Sequence, residues 1–245
     1  MGNSDLKEAL AKRYVDILQK KEYQKLLEKI ENQENGFSNV HLGFVPQGYE
    51  NATNKILIVG RETRGWRKNI QLRQYTIDDV KTSMQDSRSC MEKNLSRKQQ
   101  KGAAFFNFVR KVAQQSGESG ILWANIFAVD YKTKHPKYAA DEDFNNIKAL
   151  SRELLCAQMD ILQPSIILFV SGSSGIKARR EYFPNLSGSG KGIAGMEKGL
   201  LEQFSFLDGD HEKIKCYRAS HPSTRRKAGR IALKKLIELL PAKND

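Results

Sequence analysis

Four short apolar runs, separated by segments with helical periodicity, constrain the fold of this chain more than any other feature. The runs are KILIVG (residues 55–60), ILWANIFAV (121–129), SIILFVSG (165–172) and KIKCYRAS (213–220). Apolar residues recur at helical spacing over 102–117, 143–163 and 230–240. Strands that alternate with helices favour a parallel sheet with helices on both faces. The sequence therefore predicts an α/β fold, a three-layer α/β/α sandwich around a central sheet of four parallel strands.

The segments outside this alternating pattern predict the domain organisation. Leu6, Leu10, Tyr14 and Leu18 are spaced by four and predict one or two charged helices. We expect an N-terminal helical appendage over 1–40 and an α/β domain over 41–245. Residues 67–100 are polar and basic without clear periodicity, so they are interpreted as an excursion between the first strand and the next helix. The GSGKGIAG segment (188–195) predicts a flexible glycine-rich loop.

The charge balance points to a polyanionic partner. The 245-residue chain has 41 Lys and Arg against 28 Asp and Glu, a formal net charge of +13. Five cations accompany a single acid between Arg61 and Arg73, and seven cations with no acid lie between Lys213 and Arg230. Clustered basic charge of this kind is typical of nucleic-acid binding. The expected partner is DNA, single- or double-stranded, or RNA.

Composition also predicts what the chain lacks. Its three cysteines are scattered and form no CxxC pair, and His41, His135 and His211 are not at metal-ligand spacing, so no metal or cofactor is expected. No apolar run approaches the ~20 residues of a membrane span, and the first residues lack an apolar signal core. A cytoplasmic protein without a membrane partner is expected.

Polar residues follow or interrupt each of the four apolar runs. Glu62 follows the first run and Asn125 interrupts the second. Ser171 lies at the end of the third run and Ser173 follows it, and His221 follows the fourth run. Ligands of open α/β sheets bind beyond the carboxyl ends of the strands. We therefore expect these side chains to form one polar site at that edge.

These motifs give the sequence a resemblance to the uracil-DNA glycosylase superfamily. In that family the first strand is followed by Gly-x-Asp-Pro or Gly-x-Asn-Pro, and the last strand by His-Pro-Ser. Here Gly60-Arg61-Glu62-Thr63 follows the first run, and His221-Pro222-Ser223 follows the last. Asn125, in WANIF, matches an Asn that the family carries on a strand between the two motifs. The resemblance covers roughly residues 55–240.

The resemblance implies a monofunctional DNA glycosylase of base excision repair, which hydrolyses the N-glycosidic bond of uracil or a related damaged base after base flipping. It implies that Glu62 directs water, that His221 stabilises the leaving base, and that Asn125 reads the edge of that base. Trp66 and Phe105 are candidates for stacking on the base. Contacts with phosphate and the nucleic acid are expected from Arg61, Arg64, Ser171, Ser173, Ser223, Arg225, Arg226 and Lys227. No metal or redox cofactor is implied.

Several of these residues also have a plainer structural interpretation. Glu62 can form a surface ion pair with a neighbouring arginine, and Asn125 can bond to the backbone. Trp66 and Phe105 can belong to the core, and Ser223 can cap the last helix.

The first motif departs from the family, and this leaves two other functions open. Glu62 stands where the family has Asp or Asn, and Thr63 stands where it has Pro. One alternative is a non-catalytic nucleic-acid-binding or sensing module on the same fold. The other is a hydrolase of a small anionic nucleotide.

Overall fold

The strands of the described residues form one six-stranded mixed sheet. The structure is a computed structural model that describes residues 2–32, 36–66, 75–188, 190–207 and 209–243. The strands are β1 Ile56–Gly60, β2 Ile121–Asn125, β3 Ile166–Phe169, β4 Leu186–Gly188, β5 Leu201–Phe206 and β6 Lys215–Ala219. Their order across the sheet is β2-β1-β3-β6-β5-β4.

The sheet is parallel at its centre and antiparallel at one side. β1 pairs with β3, and β3 with β6, in parallel. β5 pairs antiparallel with β6 and with β4. The predicted α/β class is confirmed, but the predicted sheet of four parallel strands is not. β4 and β5 were not predicted, because none of the three residues of β4 is buried and half of the residues of β5 are polar.

Seven α-helices lie within the described residues. They are α1 Asn3–Leu18, α2 Gln24–Glu31, α3 Ile77–Leu95, α4 Ala104–Ser116, α5 Asp141–Leu162, α6 Ile176–Tyr182 and α7 Lys227–Glu238. The helical segments predicted at the N-terminus and over 102–117, 143–163 and 230–240 correspond to α1, α2, α4, α5 and α7. α3 and α6 were missed, and part of the predicted irregular excursion, residues 67–74, lies outside the described residues.

α3 was missed because serines interrupt its buried stripe. Val80, Met84 and Met91 are buried at helical spacing, and so are Ser83 and Ser87. Ser87 is fully buried, but serine is polar and does not count toward a hydrophobic pattern. The hydrophobic residues that remain are too few to predict a helix from their spacing.

The chain divides into two compact units. Unit 1 contains Met1–Val45, Glu62–Ser89 and Ala124–Gln163, and unit 2 contains Pro46–Arg61, Cys90–Trp123 and Pro164–Asp245. In unit 1, α1 packs against α5, with Leu10, Tyr14 and Ile17 fully buried. The predicted boundary between an appendage over 1–40 and a domain over 41–245 stays a prediction.

Unit 2 contains most of the sheet. Residues Ile56–Val59 of β1 and Ile167–Phe169 of β3 are fully buried, as expected for strands covered on both faces. α4 packs with α7, and the Nε2 amide of Gln115 donates to the Leu240 carbonyl at 3.2 Å. Ser116 Oγ likewise donates to the Pro241 carbonyl at 2.8 Å. The C-terminal ends of α4 and α7 therefore meet.

Within the described ranges, no helix is both long enough and apolar enough to cross a membrane.

Candidate functional site

The carboxyl ends of β1, β3 and β6 lie at one edge of the sheet. The parallel registers pair Val59 with Phe169, and Phe169 with Arg218. The chain leaves this edge through Arg61 after β1, through Ser171 after β3 and through His221 after β6. Ligands of such sheets bind beyond this edge, and a ligand-binding role for the residues that follow these strands stays a prediction.

His221 is held in one tautomer by its own loop. The backbone N–H of Ser223 donates to His221 Nδ1 at 3.2 Å, and Ser223 Oγ lies 2.8 Å from the same nitrogen. A backbone N–H can only donate, so Nδ1 accepts and carries no proton. In the neutral imidazole, this arrangement places the ring proton on Nε2. This tautomer makes Nε2–H a hydrogen-bond donor.

The exit of β3 packs directly against His221. Gly172 has a φ of +69°, and a Cβ at this position would lie 3.1 Å from His221 Cβ. A side chain would be strained by the backbone angle and would press on the histidine. Ser171 is buried and Ser173 is exposed on either side of this glycine. Gly172, which lies between Ser171 and Ser173, is therefore the residue of this segment that contacts His221.

The basic residues after His221 are exposed ahead of α7. Arg225, Arg226 and Lys227 are all exposed, and the Arg226 N–H donates to Thr224 Oγ1 at 3.4 Å. Arg226 is the N-cap residue of α7, so the alternative in which Ser223 caps this helix is wrong. Ser223 bonds to His221 instead, because the helix begins four residues after it. Contacts with phosphate stay a prediction for Ser223 and for the three cations.

In unit 1, the Glu62 side chain is almost completely buried. Only 2% of it is exposed, whereas 68% of the Arg64 side chain is exposed. Arg64 Nε lies 3.3 Å from Glu62 Oε1 and donates to it. The predicted pairing with an arginine is present, but the carboxylate is not at the surface. Arg61, in unit 2, is half-buried.

The loop that carries Glu62 is anchored by Asp130, which the sequence analysis missed. Asp130 is fully buried, and its Oδ2 accepts hydrogen bonds from Thr63 Oγ1 at 2.7 Å and from the Gly65 N–H. The Asp130 N–H in turn donates to Ser38 Oγ at 2.9 Å. This anchor holds Arg64 and Gly65 at φ angles of +54° and +82°. An arginine in the left-handed region costs roughly 1–2 kcal/mol, so the bonds to Asp130 offset a local strain.

Trp66 closes this loop beside a buried histidine. Its ring stands edge-on to the ring of His41, with centroids 5.1 Å apart, and its carbonyl accepts from the Asn39 N–H at 3.2 Å. Burial lowers the pKa of His41 from 6.5 to about 3. Trp66 is half-exposed, so stacking on a base stays a prediction.

Asn125 and Phe105 have different surroundings. Asn125 ends β2 and is 6% exposed. Within the described part of the chain, no group accepts a hydrogen bond from its Nδ2, so the alternative of a backbone-bonded amide is not supported for that atom. Phe105 packs against Phe106 and Trp123, with ring centroids at 5.4 and 5.9 Å. It is half-exposed at the start of α4 and belongs to this aromatic cluster.

The described ranges contain no cluster of three His, Cys, Asp or Glu side chains suited to hold a metal ion. No family model matches the chain, and no curated protein shows significant similarity to it.

Proposed function

We propose that the protein is a DNA glycosylase that hydrolyses the N-glycosidic bond of uracil or a related damaged base in DNA. The observation that carries the proposal is the hydrogen bond from the Ser223 backbone N–H to His221 Nδ1. This bond, at 3.2 Å, makes Nε2–H of the neutral ring the donor. That donor stands at the edge of the sheet where ligands of α/β folds bind.

A neutral imidazole N–H suits the chemistry of a departing base. When the bond between sugar C1′ and the base nitrogen breaks, negative charge builds on the base and its carbonyl oxygens. A preorganised donor aimed at such an oxygen stabilises the transition state. Because the backbone N–H of Ser223 fixes the tautomer, His221 needs no reorganisation during the step. Water supplies hydroxide to C1′ and a proton to the base, which balances the hydrolysis.

Glu62 is proposed to orient the attacking water. Its carboxylate is withdrawn from bulk solvent at 2% exposure, and a desolvated carboxylate orients a single water more strictly than a solvated one. The Asp130 bonds to Thr63 and Gly65 fix the loop that carries Glu62. Asn125 would read the base edge with its Nδ2, and Trp66 or Phe105 would stack on the base.

The proposal also includes the finer architecture and the partner. Helices on both faces of the central sheet would complete a three-layer α/β/α sandwich. The exposed cations Arg225, Arg226 and Lys227, together with Arg61 and Arg64, would bind DNA phosphates. Such a grip weakens steeply as salt increases.

Base release is the test. Purified protein is mixed with end-labelled oligonucleotides that contain one uracil, single-stranded or in duplex, and abasic sites are then cut with alkali. The wild-type protein should produce cleavage, and Glu62→Gln and His221→Ala should each lose it. Lys177→Gln, on the exposed outer side of α6, is the control and should cleave normally. Absence of cleavage by the wild-type protein on uracil and on a panel of damaged bases would refute the proposal.

One observation favours the second candidate, a non-catalytic nucleic-acid-binding module. Arg64 Nε already donates to Glu62 Oε1, and a carboxylate engaged by a guanidinium is a weaker partner for water. This candidate predicts that Glu62→Gln leaves the affinity for oligonucleotides unchanged and that the wild-type protein releases no base.

A further inference from the structure

A groove of about 670 Å³ in unit 2 is not used by the proposed chemistry. It lies along α4 and α7 and is lined by Ala104 and Gln115 near the two ends of α4, and by Arg230 and Glu238 on α7. The C-terminal ends of these helices meet through the bond from Gln115 to the Leu240 carbonyl. α4 has 13 residues and spans about 20 Å.

The lining of the groove combines apolar and basic side chains. Phe108 and Leu233, which are buried, and Ile237, which is half-buried, are its large apolar residues, and we refer to them as its floor. Lys111 on α4 and Arg230 and Lys234 on α7 are exposed cations, and we refer to these two helices as its walls. The single acid in the lining is Glu238, whose carboxylate lies 3.8 Å from Lys234 Nζ. The lining therefore has a net positive charge above an apolar surface.

Further exposed cations stand next to the groove where α4 and α7 begin. Gln99 lines the groove within the exposed sequence Arg97-Lys98-Gln99-Gln100-Lys101, and Pro222 lines it immediately after His221. Arg225 and Arg226 are exposed a few residues further on. Positive charge thus continues beyond the groove on both chain segments, which matches a long polyanion better than a short acidic peptide.

We propose that this groove binds one single-stranded segment of DNA. Cations on both walls would contact phosphates, and the floor would contact base or sugar faces. A duplex hides its base faces in the stack, so only an unpaired strand uses an apolar floor. This proposal rests on the proposed function in one respect. Pro222 lines the groove and directly follows His221, so the DNA substrate of the proposed reaction is the expected polyanion.

The test measures binding without requiring catalysis. A fluorescently labelled single-stranded oligonucleotide without uracil is titrated with the full chain, and anisotropy is recorded over a series of salt concentrations. The groove variant is Lys111→Glu/Arg230→Glu/Lys234→Glu. The matched control is Lys177→Glu/Arg180→Glu/Lys198→Glu, which reverses three exposed cations of unit 2 outside the groove. Circular dichroism verifies that both variants fold, and the same three groove residues changed to Gln provide a milder variant.

The groove variant should lose at least about tenfold in affinity for the oligonucleotide. The slope of its log association constant against log salt concentration should be shallower by about 2, because three phosphate contacts are removed and each contributes about 0.7 to the slope. The control should bind within about twofold of the wild-type protein. A strand that carries 4-thiothymine should cross-link under ultraviolet light to peptides from 99–115 or 222–238. Equal losses in the two variants, or cross-links only elsewhere, would overturn the proposal.

The two proposals fail in distinguishable ways. If the wild-type protein releases no base but binds the strand through the groove, the glycosylase function fails and the groove assignment stands. If base release is observed and the groove variant binds as the wild-type protein does, the groove assignment fails alone. Binding of an acidic helical peptide in the groove, with no competition by the oligonucleotide, would assign the groove to a protein partner and overturn the proposal.

Discussion

Replacement of His41 by Phe should remove part of the acid sensitivity of the protein. His41 is 3% exposed, and burial lowers its pKa from 6.5 to about 3. The folded protein therefore keeps His41 neutral at pH values where an unfolded chain protonates it. Because the unfolded chain binds an extra proton below pH 6.5 and above pH 3, the free energy of unfolding falls as the pH decreases through that window.

The magnitude follows from the width of the window. Each pH unit below the unfolded pKa costs about 1.4 kcal/mol of stability, so His41 alone lowers the free energy of unfolding by about 2 kcal/mol between pH 7 and pH 5. At neutral pH its contribution to the pH dependence is close to zero. Phe keeps an aromatic ring edge-on to Trp66, at the position where the His41 ring lies 5.1 Å from it, and it does not titrate.

Urea unfolding followed by circular dichroism at pH 7 and pH 5 measures the effect. The wild-type protein should lose about 2 kcal/mol more than His41→Phe between the two pH values. His211→Phe, which replaces a half-exposed histidine of unit 2, is the control and should retain the wild-type dependence. If His41→Phe loses as much free energy as the wild-type protein, the reasoning from a buried neutral His41 is refuted.

Three further substitutions test other parts of the structure. Asp130→Ala should lower the free energy of unfolding by about 1–3 kcal/mol, because it removes the buried oxygen that accepts hydrogen bonds from Thr63 Oγ1 and the Gly65 N–H, and urea unfolding measures this; an unchanged midpoint would show that these bonds do not stabilise the fold. Gly172→Ala should reduce base release, whereas Gly190→Ala, with a similar positive φ but no atom within 4 Å of the added Cβ, should not; equal activities would argue against the contact with His221. Leu10→Ala should cost about 2–5 kcal/mol by thermal or urea unfolding because Leu10 is fully buried on α1, and a cost near zero would mean that α1 is dispensable to the core.

Local patterns were sufficient for the elements of the α/β alternation. The apolar runs that became β1, β2 and β3 are contiguous and buried, and β6 buries Cys216, Tyr217 and Ala219, so the strand character of these segments is visible in a short window. The helical stripes of α4, α5 and α7 are visible for the same reason. The bond between Ser223 and His221 spans two residues, and it belongs to the motif that the sequence analysis selected. These strand, helix and loop features depend only on residues close together in the sequence.

Only the tertiary structure decided which polar groups are buried and what they bond to. The carboxylate of Asp130 meets Thr63 across 67 positions of sequence, and no local period marks that contact. The burial of Glu62, the low pKa of His41 and the groove between α4 and α7 likewise depend on chain segments that are brought together by folding. α3 was hidden because Ser83 and Ser87 occupy its buried face. The spacing of hydrophobic residues predicts which side of a helix or strand faces the core. Desolvation of polar groups and long-range hydrogen bonds arise only when distant segments of the chain pack together.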